Sequence, residues 1–294
     1  MELRAGPEHA GERLDAFLAV PLGSRARAQR LIAGGHVTVA GATAPKRHRM
    51  AAGEVVVVDV PPEPALPAAV ADVPFAVAYE DEHLLVVDKP PGVVVHPAAG
   101  HRAGTLSQAL AGRAAGGEEG RAGIVHRLDK DTSGLLVVAK SEAVHRALRE
   151  ALARREITRE YLALVEGRPP ARTGTIDAPL GRDRRVRTRI STDTDEPRVA
   201  VTHFAIERAL PATTLLRVRL ETGRTHQIRA HLRAIGHPVA GDPEYGTRGL
   251  LGLRRQFLHA ARLAFAHPVT GEAVDVASPL PADLCAALDR AAAA

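Results

Sequence analysis

The stretch from Gly123 to Lys140 reads G-I-V-H-R-L-D-K-D-T-S-G-L-L-V-V-A-K. It places two carboxylates, Asp129 and Asp131, beside two cations, Arg127 and Lys130, directly ahead of an apolar run. The run is short and rich in valine and leucine, which predicts a β-strand, and the polar residues before it predict a loop at the edge of that strand. An aspartate flanked by fixed cations stays ionised, so it suits a nucleophile or an electrostatic stabiliser better than a general acid. The alternative is an Asx-turn with a surface ion pair.

Similar short apolar runs continue on both sides of this stretch and alternate with only a few helical segments. This pattern predicts an α+β domain built on a mixed, largely antiparallel β-sheet with flanking helices, and not a regular βαβ repeat. The runs are LLVVDKP from Leu84, GVVVHP from Gly92, GLLVVAK from Gly134, YLALVEG from Tyr161, VAVTHF from Val199, TLLRVRLET from Thr214, RLAFAHP from Arg262 and AVDVASP from Ala273. Helices are predicted near 105–112, 141–155, 225–235 and 282–292.

A compact basic unit is predicted at 11–60. A short helix around Leu14 and a second helix from Ser24 precede two strands, HVTVAG and GEVVVVDV, which are joined by a turn that bears Lys46. Seven Lys and Arg against four Asp and Glu give this unit a net charge of +3. The following segment, 61–74, holds five prolines and predicts an interdomain linker, which leaves 75–294 as a catalytic domain.

Composition limits the possible functions without choosing one. The 294 residues carry 39 Lys and Arg against 34 Asp and Glu, so a polyanionic partner is compatible with the charge but is not required by it. No apolar stretch is long enough to span a membrane and no signal-type apolar core follows Met1, so we expect a cytoplasmic protein. The lone Cys285 cannot form an intrachain disulfide. His226 and His231 lack the further ligands of a metal site, and hydrogen-bonded structural histidines are the preferred interpretation.

The N-terminal unit resembles a known RNA-binding fold. The segments E-R-L-D-A-F-L, S-R-A-R-A-Q-R-L-I and G-H-V-T-V-A-G are similar to the α-L RNA-binding module, which grips phosphates with its second helix and the turn that follows. The resemblance implies RNA contacts by four basic residues, Arg25, Arg27, Arg30 and Lys46. A solvated basic face is the alternative.

The run H-R-L-D-K-D-T-S-G resembles the signature of the RluA family of pseudouridine synthases. Three further stretches match the family in the same order, and they start at Asp88, Arg155 and Glu221. The resemblance implies that Asp129 is the nucleophile, that Tyr161 stacks on the uracil, and that Arg229 pairs with Asp129. It also implies that Arg127 helps to displace the target base and that a basic hairpin reaches toward RNA. The hairpin arginines expected to bind substrate are Arg184, Arg185 and Arg187.

The family's reaction needs no cofactor, and none is expected here. The implied substrate is uridine in structured RNA, above all 23S ribosomal RNA of the large subunit, and a monomer is expected. Asp129 could add to the sugar, add to the uracil ring, or stabilise a glycal-like intermediate. Two other functions remain open from the residues alone: a non-catalytic ribosome-assembly factor and a hydrolytic N-glycosidase. Asp131 begins an aspartic-protease-like D-T-S-G, but the sequence holds no second copy.

Overall fold

A computed structural model describes residues 1–22, 25–60, 73–98, 101, 103–117 and 122–293. The chain divides into two compact units, Met1–Ala69 and Val70–Ala294, each considered by itself below. Most of the predicted linker, residues 61–72, lies outside the described residues, as does Ser24. The boundaries 11–60, 61–74 and 75–294 therefore stay a prediction.

The N-terminal unit contains the predicted helix, helix and hairpin, with two additional short strands. Its helices are α1 (Leu14–Phe17) and α2 (Arg25–Ala33), and its strands are β1 (Glu2–Arg4), β2 (Val37–Val39), β3 (Ala42–Thr43) and β4 (Val55–Val58). The strands form an antiparallel sheet in the order β1-β4-β2-β3. The sequence did not predict β1 or β3, because strands of three and two residues are too short to show a period of two. Leu14, Leu18 and Val56 are fully buried in the core between the helices and this sheet.

The larger unit is built on a nine-stranded sheet, as far as the described residues show. The strand order is β5-β6-β7-β14-β8-β13-β12-β9, and β15 pairs with β14. The strands are β5 (Ala76–Glu80), β6 (Leu84–Lys89), β7 (Ser133–Ala139), β8 (Thr158–Glu166), β9 (Thr173–Asp177), β12 (Val201–Ala209), β13 (Thr213–Leu220), β14 (Leu258–Ala266) and β15 (Ala273–Ala277). A separate two-stranded hairpin joins β10 (Gly181–Arg182) to β11 (Ile190–Ser191). The helices are α3 (Leu106–Ala109), α4 (Glu142–Ala153), α5 (Gln227–Ala234) and α6 (Ala282–Ala293).

The prediction of an α+β fold with a mixed, largely antiparallel sheet is confirmed. Within the nine strands β7 and β14 run parallel, and the other pairings are antiparallel. Apolar side chains point to both faces of β6 and β7, so Leu85 and Leu136 enter one core while Leu84 and Leu135 enter another. Because both faces are covered, these strands read as continuous apolar runs instead of alternating ones.

The predicted strand GVVVHP is wrong. The segment from Gly92 to Pro97 forms a turn with an isolated bridge between Val94 and Thr105. The carbonyl of Val94 accepts a hydrogen bond from the backbone N–H of Leu106 at the start of α3, 2.9 Å away. The backbone groups of this run therefore serve the turn and α3 instead of a strand ladder.

Two helices pack on the sheet through residues four positions apart. Val144 and Leu148 of α4 enter one core, and Ile228 and Leu232 of α5 enter the other. This spacing places each pair on a single helix face. Within the described ranges, every helix is too short or too polar to cross a bilayer.

Candidate active site

Asp129 lies in a turn directly before β7. We call residues 127–132 the aspartate turn. The backbone N–H of Thr132 donates to the carbonyl of Asp129 at 3.1 Å, which closes the turn. Two residues after Thr132, Gly134 has φ +109°, and a Cβ on Gly134 would lie 2.2 Å from the carbonyl oxygen of Ala260 on β14. Only glycine allows this close approach, so the turn is held directly against the neighbouring parallel strand.

Arg229 of α5 contacts the Asp129 carboxylate. Its Nη1 donates to Asp129 Oδ2 at 3.2 Å, and the two side chains are 6% and 17% exposed, respectively. The residues are 100 positions apart in the chain, and the fold brings them together by packing the α5 face that bears Ile228 onto the sheet. A nearly buried arginine in this position gives the carboxylate a fixed counter-charge and fixes its direction.

Asp242 holds Arg229 from the other side. Arg229 donates from Nε to Asp242 Oδ2 at 2.6 Å and from Nη2 to Asp242 Oδ1 at 2.9 Å, and the Asp242 side chain is fully buried. A third carboxylate, Glu244, accepts from Nη2 at 3.4 Å. Burial alone would lower the pKa of Arg229, but the hydrogen bonds and charges of Asp242 and Asp129 outweigh burial and raise it. The guanidinium is therefore permanently charged.

Sequence reasoning did not assign Asp242 or Glu244 to the site. Both lie in G-D-P-E-Y-G, a turn after α5. One feature of the sequence could have pointed to them. Both carboxylates follow Arg229 in the stretch that starts at Glu221, which resembles the family. The pattern alone favoured an ordinary turn, because Asp and Gly are common turn residues.

Tyr161 lies on β8, where it is 5% exposed and belongs to the main hydrophobic core. Burial raises the pKa of Tyr161, the charge of Arg159 opposes this rise, and the charge of Asp129 adds to it. The hydroxyl therefore stays protonated at neutral pH.

Lys89 at the end of β6 is a further residue that sequence reasoning missed. It is fully buried, and its Nζ donates to the carbonyls of Pro90 (2.9 Å), Val93 (3.0 Å) and Lys130 (2.9 Å). Because Lys130 belongs to the aspartate turn, the ammonium ties that turn to the segment after β6. Burial lowers the pKa of Lys89 to about 7, although the charges of Asp131 and Asp129 act in the opposite direction.

Two other residues of the aspartate turn take no direct part in the Arg229 contacts. Arg127 is exposed, and it forms no ion pair with any residue in the described part of the chain. The backbone carbonyl of Asp131 accepts from Arg255 Nη1 at 3.0 Å, and Arg255 is itself paired with Asp283. Asp129 is thus the aspartate of this turn that Arg229 contacts.

The predicted basic hairpin is present at 181–191, and we call it the arginine hairpin. Its tip is shaped by Asp183, whose Oδ1 accepts from the backbone N–H groups of Arg185 and Val186 at 2.8 Å each. Arg184 is paired with acidic residues further along, among them Asp195 at 2.8 Å. The side chains of Arg185 and Arg187 are exposed, and within the described ranges neither has an ionic partner.

In the N-terminal unit, one buried carboxylate organises the basic residues. Asp15 is fully buried and accepts hydrogen bonds from Arg13 (2.9 Å), Arg25 (3.0 Å) and Gln29 (2.6 Å). Burial raises the pKa of Asp15, but these hydrogen bonds outweigh burial and hold it well below its usual range. The backbone N–H of Asp15 also donates to the carbonyl of Lys46, 3.3 Å away. The start of α2 and the basic turn therefore both adjoin Asp15.

The four predicted RNA-contacting residues of this unit differ in what they already bind. Arg25 is half exposed and is paired with Asp15, while the side chain of Arg27 is partly buried. Arg30 and Lys46 are exposed, and among the described residues neither is engaged in an ion pair. Of these four residues, Arg30 and Lys46 are thus the exposed cations without an ionic partner in the described part of the chain.

The two histidines of α5 are hydrogen-bonded, as predicted. His231 is fully buried between Thr202 Oγ1 and the carbonyl of Ala178, each 2.8 Å from a ring nitrogen. His226 is the N-cap of α5, and its Nδ1 lies 3.1 Å from the hydroxyl of Tyr245. Both rings therefore position α5, the helix that carries Arg229.

Comparison with known proteins identifies the family to which this chain is similar. Residues 83–234 match the RNA pseudouridylate synthase family, and residues 12–46 match the S4 domain. An uncharacterized RNA pseudouridine synthase of Bacillus subtilis is 43% identical over 99% of this chain and 97% of its own. The ribosomal large subunit pseudouridine synthase D of Xanthomonas campestris is 45% identical over 94% of this chain and 87% of its own. The solved structure of human RNA pseudouridylate synthase domain containing 1 aligns with a TM-score of 0.56 and 29% identity, covering 71% of this chain and 84% of its own.

The family match spans more than half of the 294 residues, and the relatives align along nearly the whole chain. The N-terminal part of the chain matches the S4 domain, in the region where the sequence predicted an α-L module. The resemblance seen in H-R-L-D-K-D-T-S-G is therefore confirmed, and the chain belongs to the RNA pseudouridine synthase family of enzymes.

Proposed function

We propose that this enzyme isomerises specific uridines of structured 23S ribosomal RNA, with Asp129 as the nucleophile. The observation that carries this proposal is the nearly buried contact between Asp129 and Arg229, because it provides a carboxylate with a fixed counter-charge and a fixed direction. The large-subunit substrate is supported by relatives that are named ribosomal large subunit pseudouridine synthase D, among them that of Xanthomonas campestris.

The reaction breaks the bond between N1 of uracil and C1′ of ribose and forms a bond from C5 to C1′. The C5 proton leaves and N1 gains a proton, so the product has the composition of the substrate. In the proposed site, Asp129 supports the cleavage as nucleophile or as charge stabiliser, and Arg229 supplies its counter-charge and fixes its direction. Tyr161 offers its ring to the extruded uracil. Extrusion from the stack costs a few kcal/mol and is easiest in a loop or bulge, which favours a structured stem-loop as target.

Basic side chains in both units would hold the RNA. Arg127 at the rim of the aspartate turn and the arginine hairpin, with Arg184, Arg185 and Arg187, offer cations to phosphates. In the N-terminal unit, the free cations Arg30 and Lys46 support the same role, and Arg25 and Arg27 flank them on α2. We further propose that the enzyme acts as a monomer in the cytoplasm.

The test compares Asp129→Asn with Asp131→Asn in the same turn. Asp129→Asn removes the charge but keeps the shape, so we expect no release of tritium from 5-tritiated uridine in 23S ribosomal RNA and nearly unchanged RNA affinity. Asp131→Asn serves as the matched control and should retain most of the activity. Equal activity of the two variants would disprove the assignment. Free uracil among the products would instead indicate a hydrolase, and intact uridines throughout would indicate a binding protein.

A further inference from the structure

Tyr245 lies between two arginines that come from different parts of the larger unit. The Cζ atom of Arg229 is 4.9 Å from the centre of the Tyr245 ring, and that of Arg189 is 5.5 Å away. Arg229 belongs to α5 and contacts Asp129, whereas Arg189 belongs to the arginine hairpin. The Tyr245 side chain is 3% exposed, so both cations interact with the ring largely away from water.

The hydroxyl of Tyr245 joins the same two elements. It accepts from the backbone N–H of Ile190 at 3.0 Å and lies 3.0 Å from the carbonyl of Ile190, the first residue of β11. It is also 3.1 Å from Nδ1 of His226, the N-cap of α5. Arg189 adds a second attachment, because its Nη2 donates to the carbonyl of Glu244 at 2.8 Å. Tyr245 therefore fastens the base of the arginine hairpin to α5, in addition to the apolar cluster that Ile190 and Ala230 share with it.

A continuous set of contacts leads from Tyr245 to the reacting carboxylate. The backbone N–H of Tyr245 donates to Asp242 Oδ1 at 3.1 Å, and this same oxygen accepts from Arg229 Nη2 at 2.9 Å. Arg229 Nη1 then reaches Asp129 at 3.2 Å. A displacement of the hairpin base would thus reach the guanidinium that aims Asp129 through both the ring and the backbone of Tyr245.

We propose that Tyr245 is a positioning residue that couples RNA held by the arginine hairpin to the aim of the Arg229–Asp129 pair. The inference rests on the proposed function, in which Asp129 reacts and the hairpin binds phosphates. Arg185 and Arg187 stand exposed near the tip of the hairpin, and the hairpin base is fixed to Tyr245. RNA bound at the tip fixes the base as well, so the hairpin contributes to the rate of the chemical step in addition to RNA affinity.

Coupling is shown only by an interaction energy, so the experiment is a mutant cycle. One arm is Tyr245→Phe, which keeps the ring and removes the hydroxyl. The other arm is Arg185→Ala with Arg187→Ala, and the third protein combines all three changes. Single-turnover tritium release at saturating enzyme and RNA affinity are measured separately, with 23S ribosomal RNA transcribed in vitro from the same genome.

We expect Tyr245→Phe to slow the single-turnover rate by about five-fold or more with unchanged RNA affinity. The hairpin variant should be both slower and weaker in binding. The combined variant should be no slower than the slower of its two parents, because without the hydroxyl the hairpin base no longer fixes the ring and backbone through which Tyr245 acts on Arg229. A merely structural role would make the two rate losses multiply, and multiplied losses would overturn the proposal.

Two control variants match these changes elsewhere in the chain. Tyr79→Phe removes a hydroxyl that donates to Asp81 at 2.7 Å on the edge strand β5, and it should leave the rate unchanged. Arg208→Ala removes an exposed arginine near the end of β12 and should do the same. A wild-type rate for Tyr245→Phe alongside an inactive Asp129→Asn would overturn this inference alone. Turnover by Asp129→Asn would overturn the proposed function, and this inference with it.

Discussion

Asp242→Asn is expected to destabilise the larger unit and to slow catalysis, although Asp242 does not contact Asp129 in the structure. The Asn oxygen can still accept from the backbone N–H groups of Glu244 and Tyr245, so the turn keeps its shape. The Asn amide, however, replaces the oxygen that accepts from Arg229 Nε at 2.6 Å. Two donors then face each other in a fully buried position, and the guanidinium loses its principal counter-charge.

The magnitude follows from the burial of both partners. Asp242 is fully buried and Arg229 is 6% exposed, so solvent screens this pair little. Breaking a buried ion pair by removing one partner costs about 3 kcal/mol. For a unit of this size, that loss lowers the melting temperature by about 6–12 °C. A guanidinium displaced by even about 1 Å would also misplace Asp129 and reduce kcat by about 100-fold.

The assay is thermal unfolding followed by circular dichroism, together with single-turnover tritium release at a temperature where both proteins are folded. Asp275→Asn is the matched control, since Asp275 makes the same two-pronged contact with Arg262, at 2.8 and 2.6 Å, on the exposed surface. The control should leave both readouts unchanged, because exposed pairs contribute little. A wild-type melting temperature and rate for Asp242→Asn would refute the idea that Asp242 holds Arg229 in place.

Three further predictions concern charge. Arg229→Ala should lose most turnover with a smaller loss of RNA binding. Arg229→Lys should recover part of the activity, because it keeps the charge but loses the two-pronged guanidinium geometry. Wild-type turnover of the alanine variant would remove Arg229 from the site. Burial lowers the pKa of Lys89 to about 7 in the folded protein, whereas the ordinary pKa of 10.5 applies in the unfolded chain. Between pH 7 and pH 10.5 the unfolded state therefore binds more protons than the folded state. The free energy of unfolding of wild type, relative to Lys89→Met, should therefore rise from pH 7 to pH 9, as measured by denaturant titration, and a flat difference would contradict the stated cause. Arg30→Ala combined with Lys46→Ala should lower the salt slope of RNA binding by about two units without changing the rate at saturating enzyme, whereas an unchanged slope would identify a solvated basic face.

Much of the fold was predictable because its signals are local. The four predicted helices of the larger unit occur close to the expected positions, since each carries a helical apolar pattern or a start signal. Ser141, for example, caps α4 by accepting from the backbone N–H of Val144. The strand predicted at GVVVHP failed because an apolar run does not reveal whether its backbone finds a ladder partner, and here that backbone serves the start of α3.

The site was predictable only as far as its motifs were. The pairing of Asp129 with Arg229 came from a family resemblance, because residues 100 positions apart have no local signal that joins them. The role of Asp242 was missed, since its partner is chosen by how α5 packs on the sheet. Lys89 was missed for a related reason: a lysine is ordinarily exposed, and only the folded chain shows its ammonium surrounded by backbone carbonyls.

The close approach at Gly134 limits how this enzyme can diversify. Any side chain at that position would collide with the backbone of Ala260 and push β7 away from β14, which would move the aspartate turn as a whole. The proposed nucleophile therefore lies close to a position that only glycine can occupy. Substitutions in exposed segments such as the tip of the arginine hairpin, by contrast, would leave the sheet untouched.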